Sequence, residues 1–155
     1  MTVAYTTPVT GGAQTGLTAP TYTLTSDTAP DVNAKQFAIT ALGGTQTGVI
    51  TSSIAAPFTL SFWKPKIFKF LGKPNPTTGL ITSIPRNVFK QVTRKGVLPL
   101  VGQPYQEMVI TTVIEVPAGA DIADPANIRA ALSLHIGGLN QQSAGIGDSS
   151  VTGVI

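Results

Sequence analysis

The chemistry of this chain is concentrated in its cations. Of its 10 Lys and Arg residues, eight fall in one block: Lys64, Lys66, Lys69, Lys73, Arg86, Lys90, Arg94 and Lys95. Its acids, Asp27, Asp31, Glu107, Glu115, Asp121, Asp124 and Asp148, all lie outside residues 32–106. A block of one sign can hold a polyanion, each phosphate contact releasing counterions. It also fits a merely solvated basic face. Aromatics are threaded through its beginning, Phe62–Phe70, "FWKPKIFKF". An aromatic beside cations can stack on an unpaired base. Trp63 suits that role, and equally that of capping the edge of a core; both readings stay open.

Other chemistry is absent. The one histidine, His135, falls on an apolar helical stripe, where a buried or interface histidine fits better than a catalytic one. Asp124, about three turns away, reads as a helix cap. With no cysteine and no second histidine, thiol nucleophiles, disulfides and zinc sites are excluded. The tail "GIGDSSVTG" is glycine-rich but lacks the lysine of a phosphate-binding loop. Nothing assembles a nucleophile, base and oxyanion site, so the chain is expected to be no enzyme and to need no cofactor, metal or small-molecule substrate.

The elements that must position the cations are strands. The 155 residues suit one domain, with an extended arm at 1–19, strands within 20–117 and a helical region at 124–155. A short strand is possible at Val3–Thr6 within the arm. Candidate strands follow at Thr21–Thr25, Gln36–Leu42, Gly48–Ile54, Phe58–Trp63, Asn87–Leu98 and Tyr105–Val116. Pro65, Pro74, Pro76 and Pro85 forbid a regular central strand between 64 and 86. Asp124-Pro125 opens a helix predicted to run to Leu139, with a weak point at Gly137-Gly138. A short second helix or turn is expected near Asp148–Val154. Strands first and helices last define an α+β fold.

Only 11% of residues are charged, 42% are hydrophobic and mean hydropathy is +0.24, so the chain has little polar surface to turn to water. Part of its apolar surface should be buried against other copies. One short helix cannot cover a sheet. The stripe Ile128, Leu132, His135, Ile136 and Leu139 is therefore expected to complete the cover across a symmetric dimer. No secretory signal or membrane span is read: residues 1–26 are uncharged but broken by Thr, Gly and Pro.

In Phe58–Trp63, Phe58, Leu60 and Phe62 point one way, to the core. Thr59, Ser61 and Trp63 point the other way and can meet unpaired bases. Lys64, Lys66, Arg86, Lys90, Arg94 and Lys95 can supply phosphate contacts. The facing of Asn87–Lys95 is open, because Val88 and Val92 alternate with Lys90 and Arg94, while Phe89 shares a face with Lys95. Phe68 and Phe70 are expected to anchor the following loop to the protein.

The succession "TYTLTSD", "KQFAITALGG", "GVITSSI", "FTLSFWKPK", "NVFKQVTRKGVLPL", "YQEMVITTVIEVPAGAD", "DPANIRAALSLHIGGLNQQ" and "GIGDSSVTGVI" resembles the coat protein of single-stranded RNA bacteriophages, the levivirus-like group, over about residues 20–155. The resemblance implies an N-terminal hairpin, an antiparallel sheet and C-terminal helices interlocked across a homodimer. It implies that dimers close into an icosahedral shell, sheets facing the genomic RNA, within a virion assembled in the bacterial cytoplasm. The inner sheet would also bind an RNA hairpin, repressing replicase translation and marking the genome for packaging. The loop Pro99–Pro104 would cluster at the symmetry axes, here without inter-subunit disulfides. On matching strands the resemblance carries over Thr59, Ser61, Lys90, Arg94, Glu107, Val109 and Thr111 as RNA-facing positions. Two segments depart from the pattern: the arm, and Ile67–Pro85, which is longer than the usual connection. The rival readings are a β-rich filament, fimbrial or phage-tail subunit that exchanges its arm as a strand, and an RNA-binding regulator that does not assemble.

Overall fold

A computed structural model describes residues 2–155. Its frame is a six-stranded antiparallel meander in chain order: β1 (Val9–Thr10), β2 (Thr18–Asp27), β3 (Ala34–Thr45), β4 (Phe58–Trp63), β5 (Arg86–Val97) and β6 (Gln106–Pro117). Three helices follow: α1 (Ala120–Ala123), α2 (Pro125–Gln141) and α3 (Ser143–Thr152). The α+β class and the helices after the sheet are as the sequence predicts. The long strands are rich in Val, Ile, Thr and Phe, which suit a pleated, half-buried surface.

Register settles the facing of β5. Thr59 pairs with Arg94, Ser61 with Val92 and Trp63 with Lys90. Arg94 then pairs with Val109, and Val92 with Thr111. Paired residues share a face, so these side chains form one polar face. The other face carries Phe37, Phe58, Leu60, Phe62, Phe89, Ile114 and Val116.

The apolar face is partly covered by the chain's own irregular segments. The residues before β1 lie across it. The Tyr5 ring meets Phe37 edge-on at 5.5 Å, and its hydroxyl donates to Gln91 Oε1 at 3.2 Å. Lys35 Nζ donates to the Val3 carbonyl at 3.1 Å, and Leu24 N–H donates to Thr7 Oγ1 at 3.0 Å. The strand expected at Val3–Thr6 is absent; the short one forms at Val9–Thr10, paired with Thr21 and Tyr22. The turn after it is latched to α3: Gln14 Nε2 donates to the Ser143 carbonyl at 2.8 Å, and Thr15 Oγ1 to Asp148 Oδ2 at 2.9 Å.

Three further expectations are corrected. Gly48–Ile54 is a loop, not a strand. Ser52 N–H donates to the Ile39 carbonyl where β3 bulges, and the Ile50 carbonyl accepts from Lys95 Nζ, so its backbone is satisfied without a ladder. Gly137-Gly138 does not end α2, which runs on to Gln141. The second helix starts earlier than expected, at Ser143. The predicted cap is present: Asp124 accepts from Asn127 N–H, with Pro125 at the first turn of α2.

The core of this single chain is small. Its buried hydrophobic residues are Ile39, Ala56, Val92 and Ala118. Neither α2 nor α3 buries a residue. A compact monomer of 16.0 kDa exposes about 7,400 Å², whereas this chain exposes 10,889 Å². The excess is about 3,500 Å² on that scaling. Exposed large apolar side chains occur on β6 and α2, among them Ile110, Val113, Leu134, Ile136 and Leu139, and also on the loops.

Candidate nucleic-acid interface

The polar face holds an open depression of about 480 Å³. Seven of the residues singled out from the sequence line it: Trp63, Lys64, Lys66, Lys90, Arg94, Val109 and Thr111. The alternation of β4 and β5 brings them together. Trp63 and Lys90 are directly opposed, and Pro65 turns the chain so that Lys64 and Lys66 stand at the rim. The result is an aromatic wall beside four cations, a shape suited to a single-stranded polyanion whose bases can stack.

Thr59 and Ser61 sit differently from expectation. They are 8% and 2% exposed, low between taller neighbours. The Ser61 hydroxyl donates to Gln36 Oε1 at 3.0 Å, and Gln36 Nε2 donates to Asp27 Oδ2 at 2.9 Å. These residues form the floor of the polar face and are not free to meet a base in this arrangement. Lys95 stands on the opposite face, over the Phe58 ring at 4.5 Å with its ammonium bonded to the Ile50 carbonyl. Burial there pulls its pKa below the ordinary lysine value. It cannot join the polar face, because it is one residue out of phase with Arg94.

The basic block is also less free than the sequence suggests. Folding brings acids to it from outside residues 32–106. Lys66 Nζ pairs with Asp31 Oδ2 at 2.5 Å, Arg86 Nη1 with Glu115 Oε2 at 3.0 Å, and Arg94 Nε with Glu107 Oε1 at 3.3 Å. The hydrogen bond from Lys66, seconded by the Val32 N–H, holds the Asp31 carboxyl below the usual carboxylate range. Arg86 with Glu115 and Arg94 with Glu107 are cross-strand or near-cross-strand contacts of β5 and β6, legible only once their register is known. Among the described residues lining the depression, Lys64 and Lys90 are the cations without a carboxylate partner.

The residues expected at a dimer interface are split. Ile128, Leu132 and His135 flank an apolar trough of about 320 Å³ between α2 and the end of β6. Ile136 and Leu139 are exposed farther along α2. No group of three or more metal-ligating side chains occurs among the described residues.

A thin sheet with uncovered apolar surface, followed by helices that bury none of their residues, suits a subunit of a larger assembly. Comparison with known proteins agrees. The chain is 56% identical to a chain of the virus-like particle of bacteriophage ESE020, over 99% of this chain and 100% of that one, with a TM-score of 0.97. No family profile and no curated protein matches it. The chain belongs to the family of bacteriophage coat proteins that form virus-like particles. It is a structural component of a virion capsid and not an enzyme.

Proposed function

We propose that this coat protein encloses the single-stranded RNA genome of its phage. Its building block is a homodimer completed by β6 and α2, and many dimers close into an icosahedral shell with the polar faces inward. The observation that carries this reading is the convergence of Trp63, Lys64, Lys66, Lys90 and Arg94 on one open depression, on the face opposite the aromatic cluster. RNA phosphates would meet the lysines, and an unpaired base would stack on Trp63. A hairpin held there could also serve as translational repressor and packaging signal.

Surface physics supports the dimer. The excess exposed area is several times the roughly 800 Å² that each partner buries in a standard interface. The 12 residues of β6 end the sheet with an unpaired edge, which a second β6 could extend in antiparallel fashion. Ile136 and Leu139 of α2 would then reach over the partner. The engagement of Val3, Tyr5 and Thr7 with their own sheet favours a shell over a filament that donates its arm.

The test is to express the chain alone, treat the purified product with nuclease and extract what is protected. Single-stranded RNA should be recovered from wild-type particles and depleted at least several-fold in those of a Lys64→Ala/Lys90→Ala variant. Particles that are empty, or loaded equally in both, would contradict the inward polar face.

A further inference from the structure

An isologous interface joins two copies and stops there, so a shell needs a second, different contact surface. We propose that the β4–β5 loop supplies one: its exposed apolar side chains Phe70 and Leu80 dock on a copy of this chain from a neighbouring dimer. This inference rests on the dimer-built shell proposed above.

The loop is a folded element. At its start Phe68 lies against Phe89, 6.1 Å between ring centroids. Asn87 clamps the next residue, accepting from Lys69 N–H at 2.8 Å and donating to the Lys69 carbonyl at 3.0 Å. Leu71 is seated on Gly119, where the left-handed backbone (φ 86°) and the lack of a Cβ leave room for it. The far end is a closed turn. Asn75 N–H donates to the Leu80 carbonyl at 2.9 Å, Gly79 N–H to the Asn75 carbonyl at 2.7 Å, and Asn75 Oδ1 accepts from Thr77 N–H at 2.8 Å.

On this scaffold Phe70 and Leu80 turn their apolar side chains to the outside. Phe70 is 81% exposed and Leu80 70% exposed. The expectation that Phe70 anchors the loop is thus wrong; of the two aromatics only Phe68 does so. Apolar groups held outward by a preformed scaffold are the mark of a contact surface, because docking them costs little ordering entropy. The occupant is protein rather than nucleic acid. The loop is anchored at Phe89 and Asn87, which do not line the basic depression, and the Phe70 and Leu80 side chains offer neither charge nor hydrogen bond. That the protein is a second copy follows from the assembly of its relative into a virus-like particle. A neighbouring dimer rather than the dimer partner is the occupant, because the dimer contact is already assigned to β6 and α2 and an isologous contact leaves a second surface to be supplied.

The chain has no cysteine, which allows a clean test. Phe70→Cys and Leu80→Cys are prepared singly, and maleimide labelling rates are compared in intact particles and in dimers released from them. Rates at least tenfold lower in particles, with free labelling in dimers, are expected. A Phe70→Ser/Leu80→Ser variant should yield dimers of wild-type helix and sheet content with a large loss of particles. Equal thiol rates in particles and dimers, or protection already complete in dimers, would overturn the proposal. Failure of the wild-type chain to form any particle would instead overturn the dimer-built shell itself.

Discussion

Removing the acids that neutralise the polar face should strengthen RNA binding and make it more salt-sensitive. Lys66 is paired with Asp31 and Arg94 with Glu107, while Lys64 and Lys90 have no carboxylate partner. If only the latter two meet phosphates, log K against log salt for single-stranded RNA should have a slope near −1.4 per subunit, at about −0.7 per contact. The double variant Asp31→Asn/Glu107→Gln releases two more cations, and the slope should approach about −2.8. Between 50 and 200 mM salt the wild type would then lose roughly 7-fold in affinity and the variant roughly 50-fold. At low salt the variant should also bind tighter. A carboxylate about 7 Å from a phosphate across water repels it by about 0.6 kcal/mol, roughly threefold per acid removed. Fluorescence anisotropy of released dimers with a labelled RNA hairpin measures both quantities. Equal slopes in wild type and variant, or weaker binding by the variant, would refute the reasoning that these carboxylates compete with phosphate.

Two further outcomes follow from named contacts. Asn87→Ala removes both hydrogen bonds to the Lys69 backbone and should cost about 1–3 kcal/mol in urea unfolding of the dimer; Asn87→Asp, which sets a carboxylate oxygen against the Lys69 carbonyl in a largely buried site, should cost at least as much, and an Ala variant within error of wild type would remove the clamp from the account. The Asp31 carboxyl, held down chiefly by Lys66, should titrate by NMR below 3.8 in the folded protein. The stabilisation linked to a depressed carboxylate is present above the unfolded value and disappears as pH falls through the folded one. Lys66→Ala should therefore raise the midpoint toward 3.8, and an unchanged midpoint would contradict the pair.

Element order was legible because each strand carries its own alternation and each break its own proline or glycine. The Asp124-Pro125 helix start was legible for the same local reason. What failed was non-local. Gly48–Ile54 has strand composition, yet Lys95 and Ile39, distant in sequence, satisfy its backbone in a loop. The block between 32 and 106 contains no acid, but sequence distance says nothing about Asp31, Glu107 and Glu115 once β5 and β6 are in register. The grouping of Trp63, Lys90 and Arg94 could be read from period-two alternation. The exclusion of Lys95 could not, because β5 mixes apolar and basic residues on both faces. Phe68 and Phe70 are two apart and looked equivalent; the Phe89 ring, distant in sequence, gives the first a partner, while the second is left 81% exposed.

The central claim is that this chain is a subunit whose surface only its copies can complete. It is tested most directly by the mass of the protein expressed alone and purified, read by light scattering and electron microscopy over a range of dilutions. The account predicts closed particles that dissociate to dimers, with no folded species at the 16.0 kDa of a single chain. A stable 16.0 kDa monomer that unfolds cooperatively and never assembles would contradict it.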